Sequence, residues 1–313
     1  MIIDEVTIHL KAGKGGDGCN SFIIKRGVRI GSGGDGSRGA NIVLKVSPHV
    51  YDLGKFKAKK KFSAKDGNRG LENNKSGKVP RDLVLDVPAG TIIRNRQGGI
   101  ISDMIGLDST LVIVKGGKPG KGNYKRRHVT YGEPGEERDV ILDYRIPNDV
   151  AILGVPNSGK TSVFNALTGK HFKVNDYPFT TTSCMWAQFE FNFTVFTVLD
   201  MPALISKSHE GRGLGNTFLK HLYRTKAILI TADAGGDYKN DFGIISKQIE
   251  MFDSSFTDKK LFYLLTKADK IETKGDVSEF LSVSVNNKES VDYLKEIISG
   301  GLAHEKNSSK DRK

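Results

Sequence analysis

The 313-residue chain carries 48 basic and 36 acidic side chains, a net charge of +12, with 37% apolar and 27% charged residues. That length suits about two domains, and no apolar run approaches the roughly 20 residues of a spanning helix, so composition excludes a helical membrane protein. Cys19 and Cys184 are too few and too distant for a disulfide framework or a structural zinc site, and Met1-Ile2-Ile3-Asp4-Glu5 lacks the basic start and apolar core of a secretory signal, so a cytoplasmic location is expected.

Composition divides the chain. Residues 1–149 hold 24 of the 36 glycines and 27 basic against 17 acidic residues, net +10; residues 150–313 hold 12 glycines, 21 basic and 19 acidic residues, net +2. Two domains are expected, 1–148 and 149–302, followed by a polar, disordered tail over 303–313. The basic excess of the first domain predicts a phosphate-rich partner, since binding releases that partner's counterions; the competing reading is a charge that only keeps the protein soluble.

In chain order, Val6–Leu10, Asn41–Val46, Asp82–Val87 and Thr110–Val114 alternate with period two and read as strands. Between them, Gly13–Gly18, Gly31–Gly39 and Lys115–Gly122 are too glycine-rich for helix. They read either as loose loops or as polyproline-II helices packed where no side chain fits. The most basic segment, 55–65, holds Lys55, Lys57, Lys59, Lys60, Lys61 and Lys65, with Phe56 and Phe62 interleaved. We expect the lysines to contact phosphate and the phenylalanines to be core, although aromatic rings could also stack on unpaired bases. A solvated strand is the plain alternative.

The second domain opens on the short apolar strand Asp149–Leu153, then Gly154-Val155-Pro156-Asn157-Ser158-Gly159-Lys160-Thr161, then an amphipathic helix over Ser162–Leu167. This is G-x-x-x-x-G-K-[ST] in its strand–loop–helix setting. Glycines let backbone N–H groups turn toward phosphate oxygens, and the helix N-terminus adds positive potential. Lys160 is expected to reach the β- and γ-phosphates and Thr161 to ligate Mg²⁺. The strand Phe193–Leu199 delivers Asp200, the carboxylate on the Mg²⁺ side, and Asp200-Met201-Pro202-Ala203 takes the place of a D-x-x-G switch. The strand Leu261–Leu265 leads into Thr266-Lys267-Ala268-Asp269, similar to the guanine-reading N-K-x-D. Asp269 can accept from guanine N1–H and the exocyclic amine, which adenine lacks; this favours GTP and GDP over an ATPase or kinase reading. Asp176-Tyr177-Pro178-Phe179-Thr180-Thr181-Thr182 supplies a candidate Mg²⁺ threonine. Ser284-Val285-Asn286 is the candidate base-supporting loop, with Ser282-Val283-Ser284 as its alternative.

Over nearly its whole length the sequence resembles the Obg family of bacterial GTPases, also called CgtA. The likeness rests on Lys11–Cys19, Gly33-Gly34-Asp35-Gly36, Val87–Thr91, Lys115-Gly116-Gly117 and Gly132–Glu137 in the first domain, and on Tyr177–Thr181 and His209–Gly215 in the second. It implies an N-terminal Obg fold, a small β-structure carrying glycine-rich polyproline-II helices, followed by a Ras-like α/β P-loop GTPase domain. It further implies binding to the large ribosomal subunit and its rRNA during assembly; a monomer is expected. The implied nucleotide set is Gly154 to Thr161; Phe179, Thr180, Thr181, Thr182 and Ser183; Asp200, Met201, Pro202 and Ala203; Thr266, Lys267, Ala268 and Asp269; and Ser284, Val285 and Asn286. Thr161 and Thr181 fall on the Mg²⁺ ligands, with Asp200 supporting the ion from behind. Asn157 matches the asparagine that holds K⁺ near the phosphates in related GTPases.

Five departures stand out, one of them the segment from Tyr124 to Tyr131, which is shorter than the family pattern. Leu204 replaces the water-orienting glutamine of Ras-type enzymes, so slow intrinsic hydrolysis is expected. Ala203 replaces the switch glycine and restricts the turn toward the γ-phosphate. Thr266 replaces the guanine-motif asparagine, a loss of one bracing amide. The chain stops with a polar tail, so the extra C-terminal domain of many relatives is expected to be absent. These departures give the alternative function, a nucleotide-bound RNA-binding or assembly module with little turnover.

Overall fold

A computed structural model describes residues 3–169, 184–204, 218–270 and 280–308. Contacts divide the chain into two compact units that part between Tyr144 and Arg145, slightly N-terminal to the expected 148/149 boundary. The intervening residues are tied to the second unit: the Ile146 N–H donates to buried His221 Nδ1 at 3.3 Å, and Asn148 Nδ2 donates to the Ile146 carbonyl at 2.9 Å.

The first unit is built from short strands: β1 (Glu5–Lys11), β2 (Phe22–Lys25), β3 (Val28–Gly31), β4 (Ile42–Val46), β5 (Lys61–Ser63), β6 (Leu83–Val87), β7 (Thr91–Arg94), β8 (Ile100–Met104), β9 (Thr110–Val114) and β10 (Glu137–Tyr144), with one short helix, α1 (Gly54–Ala58). They form a five-stranded sheet in the order β5-β1-β10-β7-β8, a three-stranded sheet β6-β4-β9, and the separate hairpin β2-β3. Alternation of the kind read from the sequence fixes which face is core: in β4, Ile42, Leu44 and Val46 are buried and the residues between them are not.

The glycine-rich segments are ordered side by side. Ala12–Cys19 runs against 34–40 through N–H donations from Gly13, Gly16 and Cys19 to the carbonyls of Ala40, Ser37 and Gly34. The carbonyls of Gly13, Gly16 and Cys19 accept in turn from Gly117, Gly120 and Asn123. Every register steps by three residues, the repeat of a polyproline-II helix, which satisfies its backbone only through neighbours. Close approach explains the glycine: a Cβ on Gly13 would stand 1.9 Å from the Lys65 carbonyl oxygen.

The basic segment is a helix followed by a strand, not one solvated strand. Phe56 and Phe62 are buried and meet edge to face at 5.7 Å, so neither ring is available to a base, while Lys55, Lys57, Lys59, Lys60, Lys61 and Lys65 are exposed.

The second unit is a six-stranded sheet with covering helices. Its elements are β11 (Val150–Gly154), α2 (Lys160–Thr168), β12 (Met185–Phe191), β13 (Thr194–Asp200), β14 (Ala227–Asp233), α3 (Tyr238–Phe252), β15 (Lys260–Thr266), β16 (Leu281–Val283) and α4 (Lys288–Ser308), in the strand order β12-β13-β11-β14-β15-β16. Only β12 is antiparallel to its neighbour. β11 is buried at every position, as parallel strands covered on both faces are. Val163, Phe164 and Leu167 of α2 share a core with Leu294 and Ile298 of α4 and with the central strands. The backbone is helical through Ser308, so the tail expected to be disordered from Ala303 begins inside α4; Ala303, Glu305 and Lys306 are ordinary helix formers. Among the described residues no helix is long and apolar enough to cross a membrane.

Candidate functional site

The C-terminal ends of β11, β13, β14 and β15 converge on the loop between β11 and α2, the edge where open parallel sheets bind ligands. The loop bends through two left-handed residues, Asn157 (φ 63°) and Gly159 (φ 81°). A side chain at Gly159 would be strained by that φ, and its Cβ would also lie 2.8 Å from Thr266 Oγ1. α2 starts directly on Gly159 with no side-chain cap, so its first N–H groups remain for a ligand. They face a cavity of about 400 Å³ lined by Asn157, Gly159, Lys160, Thr161, Ser162 and Lys267. Free helix N–H groups, a buried ammonium and an open cavity together make an anion site.

Lys160 is 8% exposed and its Nζ donates to the Val155 carbonyl at 2.8 Å. Burial lowers its pKa, and the neighbouring Asp200 opposes that shift. Asp200 lies at the end of β13, 5% exposed, and burial pushes its carboxyl up to about 6 against the pull of the Thr161 hydroxyl bond and the Lys160 charge. Thr161 Oγ1 donates to Asp200 Oδ2 at 2.8 Å, while Asp200 Oδ1 is buried and without a hydrogen-bond partner among the described residues. A hydroxyl at the cavity with an unsatisfied buried carboxylate oxygen behind it fits Mg²⁺, held by Thr161 and supported by Asp200. Phe179, Thr180, Thr181, Thr182 and Ser183 lie outside the described residues, as does His209–Gly215.

The second switch position is largely buried. Leu204 is 1% exposed and its N–H donates to the Gly154 carbonyl at 3.2 Å, so the side chain is core. Met201 is buried too, its N–H bonded to the Ile152 carbonyl at 3.1 Å, while Pro202 and Ala203 are half-buried.

The ends of β14 and β15 brace the loop. Thr266 does not leave it unbraced, as the loss of an amide suggests: its buried hydroxyl lies 3.0 Å from the Ser158 carbonyl and 3.1 Å from that of Ala232. Ser158 and Thr231 share a buried hydroxyl–hydroxyl bond at 2.9 Å. Lys267 Nζ bridges Asp233 Oδ2 at 2.5 Å and the Asn157 carbonyl at 3.1 Å. Asp269 is exposed, and Ser284 Oγ donates to its Oδ1 at 3.1 Å; Ser284 belongs to both candidate base-supporting loops. No such bond is seen for Val285 or Asn286 among the described residues. Thr231 and Asp233 join the site without having been expected from the sequence. Asp233 carries the same signal that locates Asp200, an acid ending an apolar strand.

Residues 3–146 match the family described as GTP1/OBG, and residues 149–267 the family described as 50S ribosome-binding GTPase. A GTPase Obg of Ehrlichia ruminantium is 38% identical across 86% of this chain and 83% of its own length. Another from Persephonella marina is 32% identical across 99% of this chain and 98% of its own. A third, from Bdellovibrio bacteriovorus, is 37% identical across 84% of this chain and 81% of its own.

Proposed function

The chain belongs to the Obg family of GTPases, and from that premise we propose that it binds GTP, hydrolyses it slowly to GDP and phosphate, and acts in assembly of the large ribosomal subunit. The observation that carries the nucleotide reading is the Lys160–Thr161–Asp200 group around an anion cavity, with Asp200 Oδ1 left for a cation's surroundings. In this reading Lys160 meets the β- and γ-phosphates, the α2 N–H groups cradle them, and Thr161 and Thr181 hold Mg²⁺ ahead of Asp200. Bound Mg²⁺ would offset phosphate charge. Asn157 is the candidate K⁺ ligand. Asp269, steadied by Ser284, selects guanine.

The six exposed lysines between Lys55 and Lys65 are the proposed rRNA contacts, on a cytoplasmic monomer. The second reading, a nucleotide-bound assembly module with little turnover, is favoured by one observation: Leu204 is buried and apolar where a water-orienting side chain would serve hydrolysis. Nucleotide titration together with co-sedimentation tests the proposal. GDP should bind at least tenfold more tightly than ADP, and the protein should pellet with large subunits; equal GDP and ADP affinities, or no pelleting at low salt, would contradict it.

A further inference from the structure

Strands β2 and β3 stand apart from the sheets of the first unit. Among the described residues they pair only with each other, in the register Phe22↔Gly31, Ile23↔Ile30, Ile24↔Arg29 and Lys25↔Val28. Their turn is Arg26-Gly27, with φ of 50° and 76°, the left-handed pair whose twist matches that of the flanking strands. The base of the hairpin is fixed. The Ser32 N–H donates to the Ser21 carbonyl at 2.8 Å, the Asn74 N–H donates to the Ser32 carbonyl, and Asn123 Nδ2 donates to Asn20 Oδ1 at 2.9 Å. Beyond that base every residue from Phe22 to Ile30 is exposed.

Register decides what each face carries, since paired residues point to the same side and successive ones to opposite sides. One face bears Ile23, Ile30, Lys25 and Val28, and the other Phe22, Ile24 and Arg29. Ile24 is 80% exposed and Val28 60%. Burial of such side chains is favourable, so a ribbon left apolar on both faces marks a contact surface. No acid lies between Asn20 and Gly34, whereas Lys25, Arg26 and Arg29 cluster near the turn. A groove on a folded protein would cover one face and leave the other wet. Stacking on unpaired bases needs flat rings, and the ribbon's one aromatic ring, Phe22, already has the Arg29 guanidinium over it at 4.0 Å. Aliphatic side chains on both faces with cations beside them suit a medium that surrounds the ribbon, apolar within and negatively charged at its surface.

We propose that the β2-β3 hairpin is a peripheral docking element for an anionic lipid surface, its isoleucines entering the acyl boundary and Lys25, Arg26 and Arg29 meeting headgroup phosphates. The long stems of these cations lie along the apolar side chains and return the charge to the headgroups. Flotation of the full chain with vesicles of phosphatidylcholine alone, or with added phosphatidylglycerol, tests the proposal separately from nucleotide binding. Anionic vesicles should bind roughly 100-fold more tightly than neutral ones, about fivefold for each of the three cations. Ile24→Asp should weaken that binding by about tenfold, the scale of one large aliphatic side chain lost from an apolar phase. Ile24→Thr, which keeps a β-branched strand residue, should weaken it in the same direction and covers the case in which the new charge disturbs the hairpin. GDP binding should be unchanged in both variants. Absence of flotation with either vesicle would overturn the proposal. Anionic binding that both variants retain in full would overturn it too, because the lysines of 55–65 would then carry it. Loss of large-subunit pelleting in the variants with vesicle binding intact would overturn it in favour of an RNA contact.

Discussion

Lys160 is a buried cation whose ammonium donates to the Val155 carbonyl and whose charge the nearby Asp200 favours, so it is fixed in place rather than free in solvent. Lys160→Ala should weaken GTP binding by roughly 100-fold, the scale of one or two charge-assisted bonds to a phosphate, measured by titration with Mg²⁺ present. Binding as tight as the parent's would refute the loop assignment. At this scale the residues legible from sequence are those whose role follows from position alone. Lys160 and Thr161 open a helix after a glycine-rich loop, and Asp200 and Asp269 follow apolar strands. For Leu204 the sequence gives the identity of the side chain but not its direction. It turns inward because its N–H bonds to Gly154, a tertiary contact that no local pattern encodes. Thr266 looks like a loss in the sequence because the two carbonyls that engage its hydroxyl come from distant segments.

Between residue and domain, the polyproline-II array is the element most sensitive to small changes. A Cβ at Gly13 would lie 1.9 Å and 2.6 Å from the carbonyl oxygen and carbon of Lys65, backbone atoms that cannot swing aside. Gly13→Ala should destabilise the first unit by about 3 kcal/mol or more, read as a lower denaturant midpoint for that unit with GDP binding retained by the second. Asp82 links this array to the β6-β4-β9 sheet. It accepts from Arg38 Nη1 and Nη2 at 2.8 and 3.3 Å and from the Asn41 N–H and Nδ2 at 2.9 and 3.0 Å. The Arg38 bond, outweighing partial burial and joined by those from Asn41, holds its carboxyl below the usual range. A depressed folded pKa contributes stability that is present above the unfolded value of 3.8 and is lost as pH falls through the folded value. Asp82→Asn should therefore cost on the order of 1 kcal/mol at pH 7, and the difference from the parent should shrink as pH falls below the unfolded value of 3.8, measured by urea unfolding. A constant difference across that range would remove Asp82 ionisation from the account. The glycine runs are legible as non-helical, but their order is not, because each run gains its hydrogen bonds only from the others. The β2-β3 hairpin leaves no usable signal: its Phe22, Ile23, Ile24, Val28 and Ile30 are all exposed, so no alternation marks a core face.

At the scale of the whole molecule, charge and chemistry are segregated. Net +10 of the +12 lies in residues 1–149, whereas the phosphate loop, its bracing strand ends and Asp269 lie in the second unit. If the exposed lysines meet rRNA phosphates, replacing Lys59, Lys60 and Lys61 with Gln should lower affinity for large subunits and flatten its salt dependence by roughly 0.7 to 0.9 for each phosphate no longer neutralised. GTP binding should be unchanged. Identical sedimentation of parent and triple variant at every salt concentration would assign recognition to shape rather than charge. Two-domain organisation is legible because glycine and charge both change near residue 149, while the end of α4 is not, since a polar sequence suits an exposed helix as well as a tail. The most direct measurement is single-turnover GTP hydrolysis with and without large ribosomal subunits, with Lys160→Ala as the control. Slow phosphate release that requires Lys160 and rises when subunits are added is the expected result. No release above the Lys160→Ala background under either condition would contradict it and leave only the nucleotide-bound module.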